Sequence, residues 1–559
     1  MELIKMLIKR KLAHHLEQAI LEAQRQGSIA NTILPDVVIE RPQNIEHGDY
    51  ASSIALKLAR SARISPLEIA NRLLRFIPKT FEIEDIRVIP PGFINFILSR
   101  AWLANEVDNI FKNGESWGNI NIGENRLIQV EFVSVNPTGP LHVGHGRGAV
   151  LGSTLANVLK AAGYRVQTEY YINNAGSQLD AFKRSLFVRY QQSQGLQKTM
   201  PSDGYMGSYM VDLAHEIKMS HRIYFDKIVD EDQLVQELGN IGFHLIMDKI
   251  RYDLESLGIK FDVWFSEKSL NENNIYANVI AYLRKNNFTV ERDKAVWFTS
   301  ISFGEDKDNV LIRSDNTPTY FAYDIAYHYN KFIIRKFDTV IDVWGADHQG
   351  HVARMKAAMS ALGINPDNLK IVICQLVTLK RGEEVVRFSK RSGDFITLRE
   401  VIDEVGLDAC RFVFLSRSAA SQMDFDMDLA KKQSSDNPVY YVQYAHARIS
   451  SILKLAHEKD IEFAKGNVSL LTSEPEVALI KQMILLPEII ELAASVLEPH
   501  HLPYYAIDLA TAFHSFYKQC RVITNNREKT MSRLKLVKST QIILAKVLHL
   551  MGMTAPDAM

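Results

Sequence analysis

Residues 130–150 read Val-Glu-Phe-Val-Ser-Val-Asn-Pro-Thr-Gly-Pro-Leu-His-Val-Gly-His-Gly-Arg-Gly-Ala-Val, and their reading decides the fold. Leu127, Ile128, Val130, Phe132, Val133 and Val135 predict a buried strand. Asn-Pro-Thr-Gly-Pro at 136–140 stops it, because proline cannot donate to a ladder and glycine permits unusual backbone angles. Beyond Gly144, apolar residues recur at helical spacing through Val150, Leu151, Leu155, Val158 and Leu159, and Gly163 is placed to end that helix. Residues 164–172 predict the next strand. The result is a strand–loop–helix–strand unit with His142 and His145 at the mouth of the helix.

A helix start presents free N–H groups and the positive end of a dipole, which attract phosphate. Gly139, Gly144, Gly146 and Gly148 would let a nucleotide approach the backbone closely. Two imidazoles three residues apart could balance charge building on a leaving phosphate. A glycine-proline turn with two surface histidines is the plainer alternative. The His-x-Gly-His spacing at a strand end that opens a helix favours the functional reading.

The 559 residues are enough for several domains, each with its own core. Lys plus Arg and Asp plus Glu both number 65, so no overall basicity marks a nucleic-acid binder. Distribution says more: Lys518, Arg521, Arg527, Lys529, Arg533, Lys535, Lys538 and Lys546 face a single acid, Glu528, over one stretch. That stretch could track a phosphate backbone or be a solvated helix face. Cys374, Cys410 and Cys520 are few and far apart, which predicts buried thiols in a reducing compartment rather than a disulfide framework or a structural metal site. No secretory signal and no membrane-length apolar run is visible, so the expected location is the cytoplasm.

A second motif lies at 385–393, Val-Val-Arg-Phe-Ser-Lys-Arg-Ser-Gly, a flexible cationic loop after a further strand–helix–strand unit near 338–376. The segment from Asn136 to His145 resembles the first signature of class I aminoacyl-tRNA synthetases. The 385–393 loop resembles the second, usually written Lys-Met-Ser-Lys-Ser, with Arg387 for the first lysine and Phe388 for methionine. The surrounding text, over essentially the whole chain, is similar to that of arginyl-tRNA synthetases. The resemblance implies ATP-dependent activation of L-arginine to arginyl-adenylate. Transfer to the terminal ribose 2′-hydroxyl of tRNA(Arg) follows, in a monomeric, cytoplasmic enzyme using Mg2+ with the nucleotide.

The expected architecture is α/β. A Rossmann-like, doubly wound parallel-sheet catalytic domain at 113–395 carries a helical insertion near 177–258. An α+β domain at 1–112 precedes it, connector helices follow at 396–436, and an all-α bundle occupies 437–559. A strand at 36–40, a strand pair at 85–98 and one long helix at 474–497, kinked at Pro487, are among its expected elements.

Site residues follow from the resemblance. His142, His145 and Lys390 would be catalytic. Pro137, Thr138, Gly139, Gly144 and Ser389 would join them around ATP. Tyr320 and Asp324 fall on one helix face at i, i+4. A carboxylate suits a guanidinium in fork geometry, and the resemblance makes this the arginine-recognition helix, with Glu131 helping. Ser134, Asn136, His145 and His348 would hold the amino-acid head group, although His348 reads equally well as a satisfied turn residue. Phe93 and Asn95 share a strand face; by themselves they suggest a core aromatic and a turn amide, and the resemblance makes them contacts to the tRNA D-loop. Tyr517, Lys518 and Arg521 offer an aromatic and two cations to an unpaired anticodon base. A small nucleotidyltransferase also uses His-x-Gly-His, but the helical C-terminal region argues against it.

Overall fold

A five-stranded, all-parallel sheet stands at the centre, with spatial order Leu369–Cys374, Thr339–Gly345, Leu127–Glu131, Arg165–Ile172 and Val263–Ser266. The computed structural model describes residues 7–225, 228–386 and 395–559. The earliest of these strands lies in the middle, pairing Val130 with Thr168 on one side and with Ile341 on the other. The order therefore reverses direction across Leu127–Glu131 and Thr339–Gly345, the place where open parallel sheets bind ligands outside their carboxyl ends. The sheet divides two apolar cores: one contains Val130, Ile341, Leu155 and the helical bundle, the other Val340, Leu369 and the helix Tyr320–Tyr329.

The central strand ends at Glu131, not at Val135 as its apolar run predicts. Val133 and Ser134 have φ of +70° and +42°. That left-handed conformation costs about 1 kcal/mol per residue, so it persists only because neighbours over-determine it. The helix Val143–Ala161 follows and Gly163, at φ +89°, ends it as expected.

The insertion is three helices, Ser177–Ser193, Ser208–Phe225 and Glu231–Ser256. The stretch 261–312 holds the expected strands and also the helix Ile275–Lys285. In the N-terminal part, Phe93–Leu98 is the middle of an antiparallel sheet between Tyr50–Ser52 and Ile83–Ile89. The expected strand at 36–40 reduces to Glu40, which exchanges both backbone hydrogen bonds with Ala51. The C-terminal part is all helix. Its second expected helix is divided into Glu474–Met483 and Leu486–Val496, the break falling just before Pro487, which has no N–H to continue the ladder.

Two buried arginines fasten these parts to the helix Val143–Ala161. Arg147 donates to the carbonyls of Gln375 and Ser418, both at 2.8 Å. Arg411 bonds Leu257 O at 2.8 Å, Ser153 Oγ at 2.9 Å and the carbonyl of Met551. The insertion and the final helix thus meet on the back of the signature helix. Cys374, Cys410 and Cys520 are free and buried. No helix among the described residues is long and apolar enough to cross a membrane.

Candidate active site

His142 is the N-cap of its helix, with φ −104° and ψ 170°. Its Nδ1 accepts from Gly144 N at 3.1 Å, while His145 Nδ1 accepts from His142 N at 3.3 Å. Imidazoles that accept on Nδ1 carry their proton on Nε2. The rings stack with centroids 3.4 Å apart. Burial lowers the pKa of both, and with the His142 ring alongside, His145 falls to about 3. Near neutral pH these are two uncharged N–H donors at the positive end of a helix. The glycines divide by role. A Cβ on Gly146 would lie 2.5 Å from Leu398, so Gly146 serves helix packing rather than nucleotide approach; Gly148 faces open space.

The signature loop is held from both sides. Ser134 Oγ donates to Glu131 Oε1 at 2.8 Å and accepts from Tyr171 N at 3.0 Å, which fixes the left-handed turn. Asn136 donates to Gln178 Oε1 at 2.5 Å and accepts from Asn173 at 3.0 Å. Tyr209 OH donates to Thr138 O at 2.7 Å, and its ring lies where a Cβ on Gly139 would point. The insertion, in which sequence reasoning finds no motif, therefore contributes Gln178 and Tyr209 to the loop.

Ser389 and Lys390 lie outside the described residues, as do Arg387 and Phe388. The residues flanking that gap do not: Val386 and Phe395 line a cavity of about 370 Å³ together with His142 and Val143. Leu398 N donates to Leu141 O at 2.7 Å, locking the chain after the second motif against the first. Thr397 starts the next helix with the expected capping box to Glu400.

Asp324 sits on the helix Tyr320–Tyr329, whose N-cap Thr319 accepts from Ala322 N at 3.4 Å. Among the described residues its carboxylate has neither hydrogen bond nor ion pair. Desolvation raises its pKa to about 7, with Glu131 and Glu267 adding repulsion against the pull of His328 and Arg354. Tyr320, on the same face, is 46% exposed. Its hydroxyl lies 4.0 Å from where a Cβ on Gly176 would sit, in the loop that also supplies Asn173. The signature loop, the 173–176 loop and the Asp324 helix therefore adjoin one another at the carboxyl end of the sheet.

Glu131, expected to share the guanidinium, is turned elsewhere: its oxygens take Ser134 Oγ and the ammonium of buried Lys331 at 2.5 Å. Lys331 also reaches Asp342 at 2.9 Å. Burial would raise Asp342, but Lys331 and His328 outweigh it and hold its pKa at about 2. Glu267, 3% exposed, accepts from Tyr171 OH at 2.6 Å. The helical pattern of the sequence marked neither Lys331 nor Glu267; a lysine directly after an apolar helix was the only hint. His348 is exposed in the turn Ala346–His351 at the end of Thr339–Gly345, with its Nε2 3.3 Å from Asp347.

The nucleic-acid candidates fare unequally. Phe93 is exposed, but Asn95 is 2% exposed and donates to the His47 carbonyl at 3.0 Å, leaving its Oδ1 without a partner. The pair therefore does not present a joint surface. Tyr517 and Lys518 line a cavity of about 490 Å³ with Tyr440, Tyr441, Tyr444, Arg448 and His514. Arg448 lies over the rings of Tyr444 at 4.7 Å and Tyr517 at 5.0 Å. Arg521 is exposed and does not line that cavity. Ala558 and Met559 line the adjoining one. The i, i+4, i+8 run of Tyr440, Tyr444 and Arg448 was a legible signal that went unread. The basic run is not a free face. Lys529 and Arg533 pair with buried Glu476, Lys535 with Asp108, and Lys546 is buried against carbonyls of Glu115 and Trp117. Elsewhere in the bundle, Glu498, His500 and His501 bring possible ligand atoms within 4.8 Å of one another, away from both sites.

A doubly wound sheet with a His-x-Gly-His helix mouth at its switch point defines the catalytic domain of a class I aminoacyl-tRNA synthetase. The family model "tRNA synthetases class I (R), catalytic domain" matches residues 106–431. "Arginyl tRNA synthetase N terminal domain" matches 8–98 and "DALR anticodon binding domain" matches 442–559. The arginine–tRNA ligase of Dehalococcoides mccartyi is 55% identical over 99% of both chains. That of Moorella thermoacetica is 46% identical, again over 99% of both. The structure of Thermus thermophilus arginyl-tRNA synthetase shares the fold with a TM-score of 0.78 at 22% identity, covering 99% of this chain and 100% of that one. The chain belongs to the arginyl-tRNA synthetase family.

Proposed function

We propose that this chain works as an arginine–tRNA ligase in which Asp324 selects the substrate. One observation carries the reading: a desolvated carboxylate with no partner stands beside a nucleotide-type helix mouth. A guanidinium offers five donors in a planar fork and stays charged at any physiological pH, so it answers that vacancy better than a neutral side chain. Tyr320 flanks it, and Ser134, Asn136, His145 and His348 take the amino and carboxylate groups.

The arginine carboxylate attacks the α-phosphorus of ATP. A carboxylate–phosphorus bond forms, the bond to the bridging oxygen breaks, and pyrophosphate leaves. Pro137, Thr138, Gly139 and Gly144 border the nucleotide. His142 and His145 donate through Nε2 to phosphate oxygens as charge moves outward, and the helix dipole adds to them. Lys390 supplies a cation to the leaving pyrophosphate, supported by the motif and by its flanks beside His142. Magnesium arrives with the triphosphate as part of that substrate. The tRNA 2′-hydroxyl then attacks the adenylate carbonyl and AMP departs.

The domain scheme follows the same reading. Phe93 of the N-terminal part faces the D-loop, with Asn95 reaching it only if its strand edge opens. Tyr517, Lys518 and Arg521 meet the anticodon, the protein is monomeric and cytoplasmic, and tRNA precedes activation. ATP–pyrophosphate exchange tests it: exchange that needs arginine and is stimulated by tRNA supports the proposal, and exchange supported equally by a neutral amino acid overturns it.

A further inference from the structure

We propose that Lys331 is a positioning and specificity-determining residue: a cation built into the fold that occupies Glu131 and Asp342, so that Asp324 alone is left to take the substrate's guanidinium. The inference rests on the reading of Asp324 given above.

Glu131 and Asp342 end adjacent strands at the switch point, paired with each other in the sheet register. Two carboxylates side by side beneath a guanidinium pocket would be rival acceptors for it. Every one of their oxygens is already taken. Glu131 receives Ser134 Oγ and Lys331 Nζ; Asp342 receives Lys331 Nζ and, at 2.8 Å, His328 Nε2. Lys331 is fully buried, and its ammonium also sits 4.1 Å from the centroid of the Tyr327 ring. It arrives there through a π-helical turn, Asn330–Ile334, that continues the Asp324 helix. Such turns add a residue to the helix and are frequent at functional sites. The same helix thus carries the free carboxylate and the cation that silences its rivals.

The consequence reaches the head-group side. Ser134, strained at φ +42°, is held by Glu131 and Tyr171, and it leads directly into Asn136 and the signature loop. Without Lys331, Glu131 is released either toward the guanidinium or away from Ser134. Both misplace arginine while leaving the ATP end untouched, because His142 and His145 are held by their own helix mouth.

The test compares Lys331→Met with Lys331→Met/Asp342→Asn and Asp324→Asn in the full chain with tRNA. Removing one partner of a buried ion pair is far more damaging than replacing both by neutral groups. The single variant should raise the arginine KM about 30-fold with ATP KM within about twofold, and the double variant should recover most of that loss. A lysine that only filled space would not be rescued by Asp342→Asn. The inference fails if folded Lys331→Met keeps its arginine KM, or if the double variant is no better than the single. Should the single variant not fold by circular dichroism, the double variant decides: its folding with near-normal arginine KM supports the inference, and its failure to fold overturns it. Asp324→Asn separates the two levels. If it leaves arginine KM unchanged, the reading of Asp324 is wrong; if it abolishes arginine use while Lys331→Met does not, only the role of Lys331 is wrong.

Discussion

The carboxyl end of the central sheet and the last helix of the bundle, Arg527–Leu550, treat charge in opposite ways. On the helix, cations abundant in the sequence are spent on structure: Lys529 and Arg533 on Glu476, Lys535 on Asp108, Lys546 on carbonyls of the 115–117 turn. At the sheet, Glu131 and Asp342 are likewise satisfied, yet Asp324 beside them is left without a partner. Function follows the charge the fold leaves unpaired, not the density of charge along the chain. A buried carboxylate without a cation is costly to keep, and a substrate that supplies the cation recovers that cost on binding.

The sharpest way to break this contrast is Asp324→Asn. Arginine-dependent exchange should fall by about a thousandfold, since the guanidinium is left facing an amide instead of a charge, while ATP binding measured by titration stays. If exchange survives, the unpaired carboxylate is not the selector. On the opposite side, Glu476→Gln strands two cations on a group that is fully buried. It should cost about 3 kcal/mol of stability, read as a lowered denaturation midpoint, with the catalytic site unchanged in the protein that remains folded.

Tyr517→Ala tests the aromatic cavity as the place where the bundle does carry function. It should weaken tRNA binding by about 2 kcal/mol, the worth of one stacked base, with tRNA-independent ATP binding unaffected. Lys529→Ala, drawn from the paired set, should weaken tRNA binding by less than about twofold once stability is accounted for.

The smallest effect is one of pH. The Asp324 pKa is raised to about 7 in the free protein, so it is protonated below that value, where arginine remains a cation. Arginine KM should therefore rise as pH falls through 7, by up to about tenfold per unit for one proton, and Asp324→Asn should flatten the profile. The sign for folding is the reverse. A carboxyl raised in the folded state takes up protons on folding, so its contribution improves as pH drops from 7 toward 4.

Much of this was legible in the residues. His-x-Gly-His after an apolar run predicts the strand, the loop and the helix, because glycine and proline punctuation and a 3.6-residue period are local properties. The Asn437-Pro438 start, with Asn437 Oδ1 accepting from Val439 N at 3.1 Å, and the capping box at Thr397 are local as well. The strand end was misread because Val133 and Ser134 look like strand residues, and only contacts from Glu131 and Tyr171 force them left-handed. Asn95 shares its strand face with Phe93 by period, but burial beneath His47 is a matter of what covers that face.

The sequence by itself determined the two βα units, the helical bundle, the signature motifs and the pairing of Tyr320 with Asp324 on one helix face. Each depends on neighbours within a few residues, whose geometry the backbone dictates. Tertiary structure alone decided which charges are free. Whether Glu131, Asp324 or Lys535 is available depends on partners 200 residues away for Glu131 and Lys331, or far along the chain for Lys535 and Asp108. No local period encodes such a partner, because Coulomb attraction and desolvation act through space rather than along the chain.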